Sequence, residues 1–380
     1  MLHRICTWAP IAALAIACAD PLRPADVPAD LVAARATNGI SIIDLGVAAG
    51  AGSVAKDVNA GGVIVGYATT RKYEPDSYYH AMRWTADAGG AVTQENLMSR
   101  LGLPAIADAM ALAVNDAGMI VGGMRTSDQE NYHGFVLSAA AVIDVQSYPR
   151  CDGAADDRNY SFARDINNRD QVVGEKGYAP NPSNRPGYFF YLDLQAATPC
   201  LDQLPGLATG GAAYAINDSS VIAGESTEGI VNWAVQYRRI SGAWTAMKLG
   251  RDSTRAWAIN TRGDIAGQFN GPKSNVDQHA LVWRNSAGAL VEREPGTLGG
   301  PQSVANGIDD AGRVVGWAHN KQWNMHAFDW TETAGMRDLG TLGGKRSSAS
   351  AVNGRNIVGD SEIATLGTEI VNHATLWRLP

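Results

Sequence analysis

The chain has 380 residues, 45 % of them apolar, which supplies a sizeable core and excludes a mainly disordered protein. Against 31 basic residues stand 38 acidic ones, and the net charge of −7 argues against a nucleic-acid partner, whose phosphates call for a basic footprint. Glycine, at 42 residues, is far above average, so the chain turns often.

Residues 1–4 carry one positive charge, and residues 7–17 are a short run of apolar and small side chains. That run is well under the ~20 residues a membrane-spanning helix needs and reads as an export signal. It ends Leu14-Ala15-Ile16-Ala17-Cys18, which resembles the bacterial lipobox, with Ala15 where a leucine is usual. Residues 1–18 are therefore expected to be a signal peptide, with Cys18 as lipid acceptor holding the chain on a membrane without spanning it. Ordinary cleavage nearby would instead leave a soluble secreted protein. Residues 19–39, rich in Pro and Ala, read as a tether. Cys6 is lost with the signal, which leaves Cys151 and Cys200 in an oxidising compartment, as a disulfide or as two separate thiols. No metal-ligand spacing accompanies them.

From residue 40 onward one unit recurs seven times: Ala, three residues, Asn, a turn, two aliphatics and Gly. It reads AKDVNAGGVIVG at 55–66, ALAVNDAGMIVG at 111–122, ARDINNRDQVVG at 163–174 and AYAINDSSVIAG at 213–224. It continues as AWAINTRGDIAG at 256–267, ANGIDDAGRVVG at 305–316, where Asp309 replaces Asn, and ASAVNGRNIVG at 349–359. Six intervals from Asn59 to Asn353 span 294 residues, a mean period of 49. A second landmark, a histidine-led run, opens at His80, His133, His279, His326 and His373, and is degenerate in the runs that open at Gly187 and Trp233. A third is Asp338-Leu339-Gly340, echoed at Asp44-Leu45-Gly46 and by the Thr-Leu-Gly-Gly at 297–300.

Each unit thus predicts four short strands, a to d, separated by turns. Strand a ends at the Asn, an Asn-x-x-Gly turn of residues that tolerate φ > 0 leads to b, the histidine run is c, and the Asp-Leu-Gly run is d. Four strands at this period predict an all-β, seven-bladed β-propeller over residues 40–380. The invariant Ala suits the crowded innermost strand. The last unit lacks a strand d, and Ile40–Gly46 is a strand d without a blade. Pairing the two closes the ring and removes two exposed edges.

At these residues the chain resembles the extracellular proteins named for their HAF repeats, over about residues 40–380. The literal His-Ala-Phe occurs at His326. The resemblance implies an exported repeat protein and supplies no established reaction.

The five histidines could form a ring of metal ligands, one per blade, or tie strand c to a neighbouring turn. Ligands must converge on one point, and two blades lack the histidine, so the structural role is expected. The aromatics ending strand c (Trp84, Tyr191, Tyr237, Trp283, Trp330, Trp377) are expected to pack between blades. No nucleophile elbow, phosphate loop or EF-hand is present, so no catalytic residue, cofactor or metal is assigned. Two carboxylates, Asp57 and Asp165, stand two residues before the Asn where other copies have Ala or Gly. The expected function is an envelope-associated, non-enzymatic module that binds a protein or glycan partner. The alternative is an exported propeller enzyme acting on polysaccharide. The b–c inserts vary in length and content while the a–b hairpins do not, so recognition is expected on the insert face, at Arg71, Tyr73, Tyr78, Arg125, Tyr178, Trp317 and Trp323.

Overall fold

The seven Ala-to-Asn stretches are the innermost strands of seven four-stranded antiparallel blades arranged in a ring. The computed structural model describes residues 35–37, 39–47, 52–70, 78–125, 131–177, 187–206, 210–271, 277–364 and 370–380. The expected signal, Cys18 and most of the tether lie outside these. Blade 1 runs outward through Gly52–Val58, Ile64–Thr69, Tyr79–Ala86 and Val92–Asn96. Blades 2 to 6 follow the same order, starting from Asp108–Val114, Tyr160–Ile166, Gly210–Ile216, Thr254–Ile259 and Gly299–Ile308. Blade 7 consists of Gly343–Asn353, Asn356–Ile363 and Asn372–Arg378, with Ile40–Gly46 as its strand d. Ile42 pairs with Trp377 and Gly46 with Ala374, the closure expected from the sequence. A further strand, Arg35–Thr37, pairs outside Ile40–Gly46, so the sheet begins inside the stretch read as tether. It takes up ladder groups that would otherwise be an open edge.

Every innermost strand contains a β-bulge. The pairing register skips the residue three before the Asn in all seven blades: Lys56, Leu112, Arg164, Tyr214, Trp257, Asn306 and Ser350. The repeat's Gly follows from this displacement. A Cβ at Gly267 would stand 1.9 Å from the Arg255 carbonyl oxygen, and one at Gly359 would stand 2.0 Å from that of Ser348. No side chain fits there.

The wedges between blades are filled by the aromatics of strand c. Trp84 shares a buried cluster with Ile43, Leu45 and Leu376 of blade 7, and Trp377 with Val315, Ala327 and Leu339 of blade 6. Trp283 does the same with Ala223, Ala234 and Leu249 of blade 4, and Tyr237 with Val173, Phe189 and Leu204 of blade 3.

The histidines meet the third landmark. His373 Nδ1 lies 2.8 Å from Asp44 Oδ2, His326 Nδ1 lies 2.8 Å from Asp338 Oδ2, and His133 Nδ1 lies 2.9 Å from Asp144 Oδ2. His80 Nδ1 lies 3.0 Å from Asn96 Nδ2, and His279 departs from the pattern by meeting the adjacent Asp277 at 3.0 Å. In four of the five the partner is thus the polar residue of strand d, while His80 Nε2 also lies 3.0 Å from the Ala105 carbonyl in the turn that leads to blade 2, the kind of tie expected from the sequence. The same aspartates accept the N–H of Gly46 at 2.7 Å and of Gly340 at 2.8 Å, where φ is +75° and +77°. A hydroxyl of the next blade completes the corner. Ser347 Oγ donates to Gly340 O at 2.8 Å and accepts from Ala327 N at 2.9 Å, and Ser53 and Ser303 repeat both bonds.

Deleting Ile40–Gly46 removes four buried aliphatics, Ile40, Ile42, Ile43 and Leu45, along with the partners of His373 and Ser53. Burying four such side chains contributes roughly 6–12 kcal/mol, comparable with the whole stability of a domain. The truncated chain is expected to lose its cooperative thermal transition by circular dichroism. An unchanged melting temperature would contradict the closure.

Candidate axial and loop-face site

The a–b hairpins ring one mouth of the axial channel, and their Asn side chains form a belt. Asn59 Oδ1 accepts from Val63 N at 2.9 Å, and its Nδ2 donates to the carbonyl of Asn115 in the next blade at 2.9 Å. The donation passes from Asn115 to Asn167, from Asn167 to Asn217, from Asn217 to Asn260 and from Asn260 to Asp309, at 2.9–3.2 Å. Asp309 accepts from Arg313 N at 2.8 Å, but its carboxylate has no N–H to pass on. A parallel set runs from Ala60 N to Asp116 Oδ1, Asp116 N to Asn168 Oδ1, Asn168 N to Asp218 Oδ1 and Thr261 N to Asp310 Oδ1, at 2.8–2.9 Å. The conformational role assigned to Asn from the sequence is corrected here. Positive φ falls on the fourth turn residue, as at Gly62 and Gly118, and the Asn serves because an amide both donates and accepts.

Inside this mouth lies a cavity of about 430 Å³ lined by hairpin residues of all seven blades and by Asp57. Asp57 accepts Val58 N at 2.8 Å and, across the blade boundary, Val114 N at 2.9 Å. Asp165 accepts Ile166 N at 2.8 Å and Ile216 N of blade 4 at 2.7 Å. Each carboxylate therefore staples two innermost strands. Burial pushes both above the usual carboxylate range, Asp165 to about 7, and the negative charge of Asp57 from two blades away adds to the rise.

One residue nearer the insert face, the bulged side chains meet the residue that follows each repeat Gly. Arg164 Nη2 donates to Glu175 Oε1 at 2.5 Å, Tyr214 Oη to Glu225 Oε1 at 2.8 Å, and Trp257 Nε1 to Gln268 Oε1 at 3.2 Å. Arg255 Nε donates to Glu225 Oε2 at 2.7 Å, and the Tyr214 and Trp257 rings lie 4.5 Å apart. In the first and seventh blades burial lowers the Lys56 ammonium, opposed by Asp360 and reinforced by Arg164. Burial likewise raises Asp360 to about 6, opposed by Lys56. Lys56 and Arg164 are two blades apart, with Leu112 at the equivalent position between them, so these groups converge on the axis. The result is a half-buried wall of mixed charge and aromatic rings. It can engage a polar ligand by paired hydrogen bonds and stacking.

Of the residues singled out from the sequence, Arg71, Tyr73 and Tyr178 lie outside the described residues. Tyr78 is a spacer before strand c of blade 1, its carbonyl accepting Thr70 N at 2.9 Å. Arg125 is engaged within the fold, paired with the buried Asp108 and 5.1 Å over the Tyr132 ring. Trp317 is half-buried at the post-glycine position, and Trp323 is exposed at the tip of the blade 6 b–c hairpin. Cys151 and Cys200 form a disulfide, Cα atoms 5.0 Å apart, tying the approach to blade 3 to its outer strand. The wall of Lys56, Arg164, Glu175, Tyr214, Glu225, Trp257 and Asp360 escaped sequence reasoning. Its signal was there: these positions flank the invariant Ala and Gly yet differ between copies.

Residues 48–193, which span blades 1 to 3, match a family described as "Protein of unknown function (DUF3466)". No curated protein matches the chain. Among solved structures, the β-propeller domain of the trilobed protease from Pyrococcus furiosus aligns with a TM-score of 0.54 at 11 % identity, covering 86 % of this chain and 93 % of that one. That domain has an open velcro topology, whereas this ring is closed by its own first strands. The acylaminoacyl peptidase of Pyrococcus horikoshii aligns at 0.50 and 14 % identity, over 86 % of this chain and 51 % of that one. TolB from Acinetobacter baumannii aligns at 0.44 and 11 % identity, over 71 % of this chain, which spans 61 % of TolB. At these identities the likeness is one of fold.

Asp165 ionises near pH 7 in the fold against 3.8 unfolded, so the protonated form is the one the fold favours. Its contribution is whole below about pH 4 and is lost as pH rises through about 7. Asp165→Asn cannot titrate. The unfolding free energy of the native chain minus that of the variant should therefore narrow from about pH 4 to 8 in urea titrations. A gap that stays flat or widens counts against the assignment.

Proposed function

We propose that this protein is an exported, membrane-anchored, non-enzymatic binding module that holds a protein or glycan partner on its insert-bearing face. One observation carries the reading: the two halves of the channel use the repeat differently. The hairpin half repeats one belt of Asn amides around most of the ring. The other half carries a different side chain in nearly every blade at the two positions the fold leaves free. Sites grafted onto rigid rings are built that way. The lipobox-like Leu14–Cys18 stretch and the HAF-like landmarks support the address, and the Cys151–Cys200 disulfide suits an oxidising compartment.

A polysaccharide-cleaving enzyme is the second reading, favoured by Asp57 and Asp165 interacting across the channel with raised pKa values. Against it, both oxygens of each carboxylate already accept a backbone N–H. A turnover found by substrate screening and abolished by Asp57→Asn and Asp165→Asn would replace the binding reading.

For the address, Cys18→Ser is expected to move the protein from the membrane to the soluble envelope fraction. Unchanged partitioning with no lipid by mass spectrometry overturns the anchor. For the face, Trp317→Ala and Trp323→Ala should weaken partner capture by the full chain roughly tenfold or more, without lowering thermal stability. Substitutions at Asp116 and Thr261 on the hairpin rim should leave capture unchanged. The reverse pattern would move the binding face to the hairpins.

A further inference from the structure

The b–c hairpin of blade 6 turns through Asn320 to Asn324 with the bonding of the a–b hairpins. Asn320 N donates to Asn324 O and Trp323 N to Asn320 O, both at 2.9 Å, while Asn324 N donates to Asn320 Oδ1 at 3.0 Å. In the six a–b hairpins of this length the fourth residue is Gly62, Gly118, Asp170, Ser220, Gly263 or Gly312, all at positive φ. Here that place belongs to Trp323, at φ +64° and 70 % exposed. A bulky side chain strains this conformation, and exposure gives the indole no burial in return. Its ring lies 6.2 Å from that of His319, itself 5.5 Å from Trp317. Burial and the charge of Arg346 hold the His319 imidazole below the usual histidine range, so it contributes a flat, neutral surface. Arg346 and, in the turn itself, Lys321 supply positive charge with no ion pair among the described residues.

We infer that the Trp323 tip is the stacking platform of a site for an acidic oligosaccharide, one whose pyranose face lies on the indole and whose uronate carboxylate meets Arg346 and Lys321. This rests on the insert-face reading and specifies its ligand. The chemistry favours a sugar over an acyl chain or an aliphatic peptide motif, because the exposed surface is a flat aromatic ring, backed by the His319 and Trp317 rings, with no large exposed aliphatic side chain of its own blade beside it among the described residues. Every other large exposed apolar side chain among the described residues, such as Ile230, Ile240 and Met247, belongs to another blade. A sugar face needs a single ring to stack on, and a carboxylate is matched in the plane by a guanidinium.

The test is calorimetric titration of the full chain with tetragalacturonate, with neutral maltotetraose and with phosphatidylglycerol vesicles. Tetragalacturonate is expected to bind and maltotetraose to bind far more weakly. Trp323→Gly, which relieves the turn, should lose roughly tenfold or more in affinity while melting no lower than the parent. Arg346→Ala should weaken tetragalacturonate and leave the weak maltotetraose signal unchanged. Equal affinity for both sugars, or binding of vesicles alone, overturns the inference. If tetragalacturonate fails to bind while a captured partner is still lost in Trp323→Gly, the sugar falls and the insert-face reading stands. If Trp323→Gly changes neither, both fall.

Discussion

The structure depends on one steric constraint: seven innermost strands must approach a common axis while remaining paired to their neighbours. Each accommodates this with one extra residue, the bulge three before the Asn. The displaced backbone drives a carbonyl into the place where a Cβ of the partner strand would stand, so that partner is Gly in all seven blades. The neighbouring Ala, fully buried in every copy, answers the same crowding. The Ala and the Gly, the two residues common to all seven copies, thus express a single constraint.

The bulge also has a chemical consequence. An unpaired residue in a strand is released from the alternation that would place it in a sheet-to-sheet core. Lys56, Arg164, Tyr214 and Trp257 are released in this way into the channel, where they meet Glu175, Glu225, Gln268 and Asp360. The device that lets the ring close therefore also furnishes its interior with polar groups. Their burial is partial, and nearly every charge has a partner of opposite sign, which keeps the desolvation cost tolerable.

Adjacent blades are joined at three radii by different physics. At the hairpin rim, Asn amides and the residues after them pass hydrogen bonds around the ring. Midway, indole and phenol rings fill the wedges by burial. At the outer corner, the hydroxyls of Ser53, Ser303 and Ser347 each bridge the strand c amide and the Gly carbonyl of the preceding blade. The interruptions are informative. Asp309 accepts but cannot donate, so the belt ends there, and blade 6 is also where Trp323 occupies a strained turn.

Blade number, strand order and ring closure were legible in the amino-acid sequence, because repetition converts weak local signals into a pattern with one geometric solution. The period, the turn residues, the unpartnered strand Ile40–Gly46 and the last unit's missing strand d together point to the pairing that the ring adopts. The packing role of the strand c aromatics was legible for the same reason. The function of the repeat Asn was not, since its amide acts between blades 43 to 56 residues apart and spacing carries no record of that partner. The channel wall was hidden because a bulge shifts side-chain direction by one residue, and period-2 reasoning then assigns Lys56 and Arg164 to the wrong face. Arg125 looked free because Asp108 lies 17 residues earlier, on the strand that pairs with its own. Repetition determined the ring, and only the folded ring, by bringing unequal residues of different blades to one axis, decided where its chemistry lies.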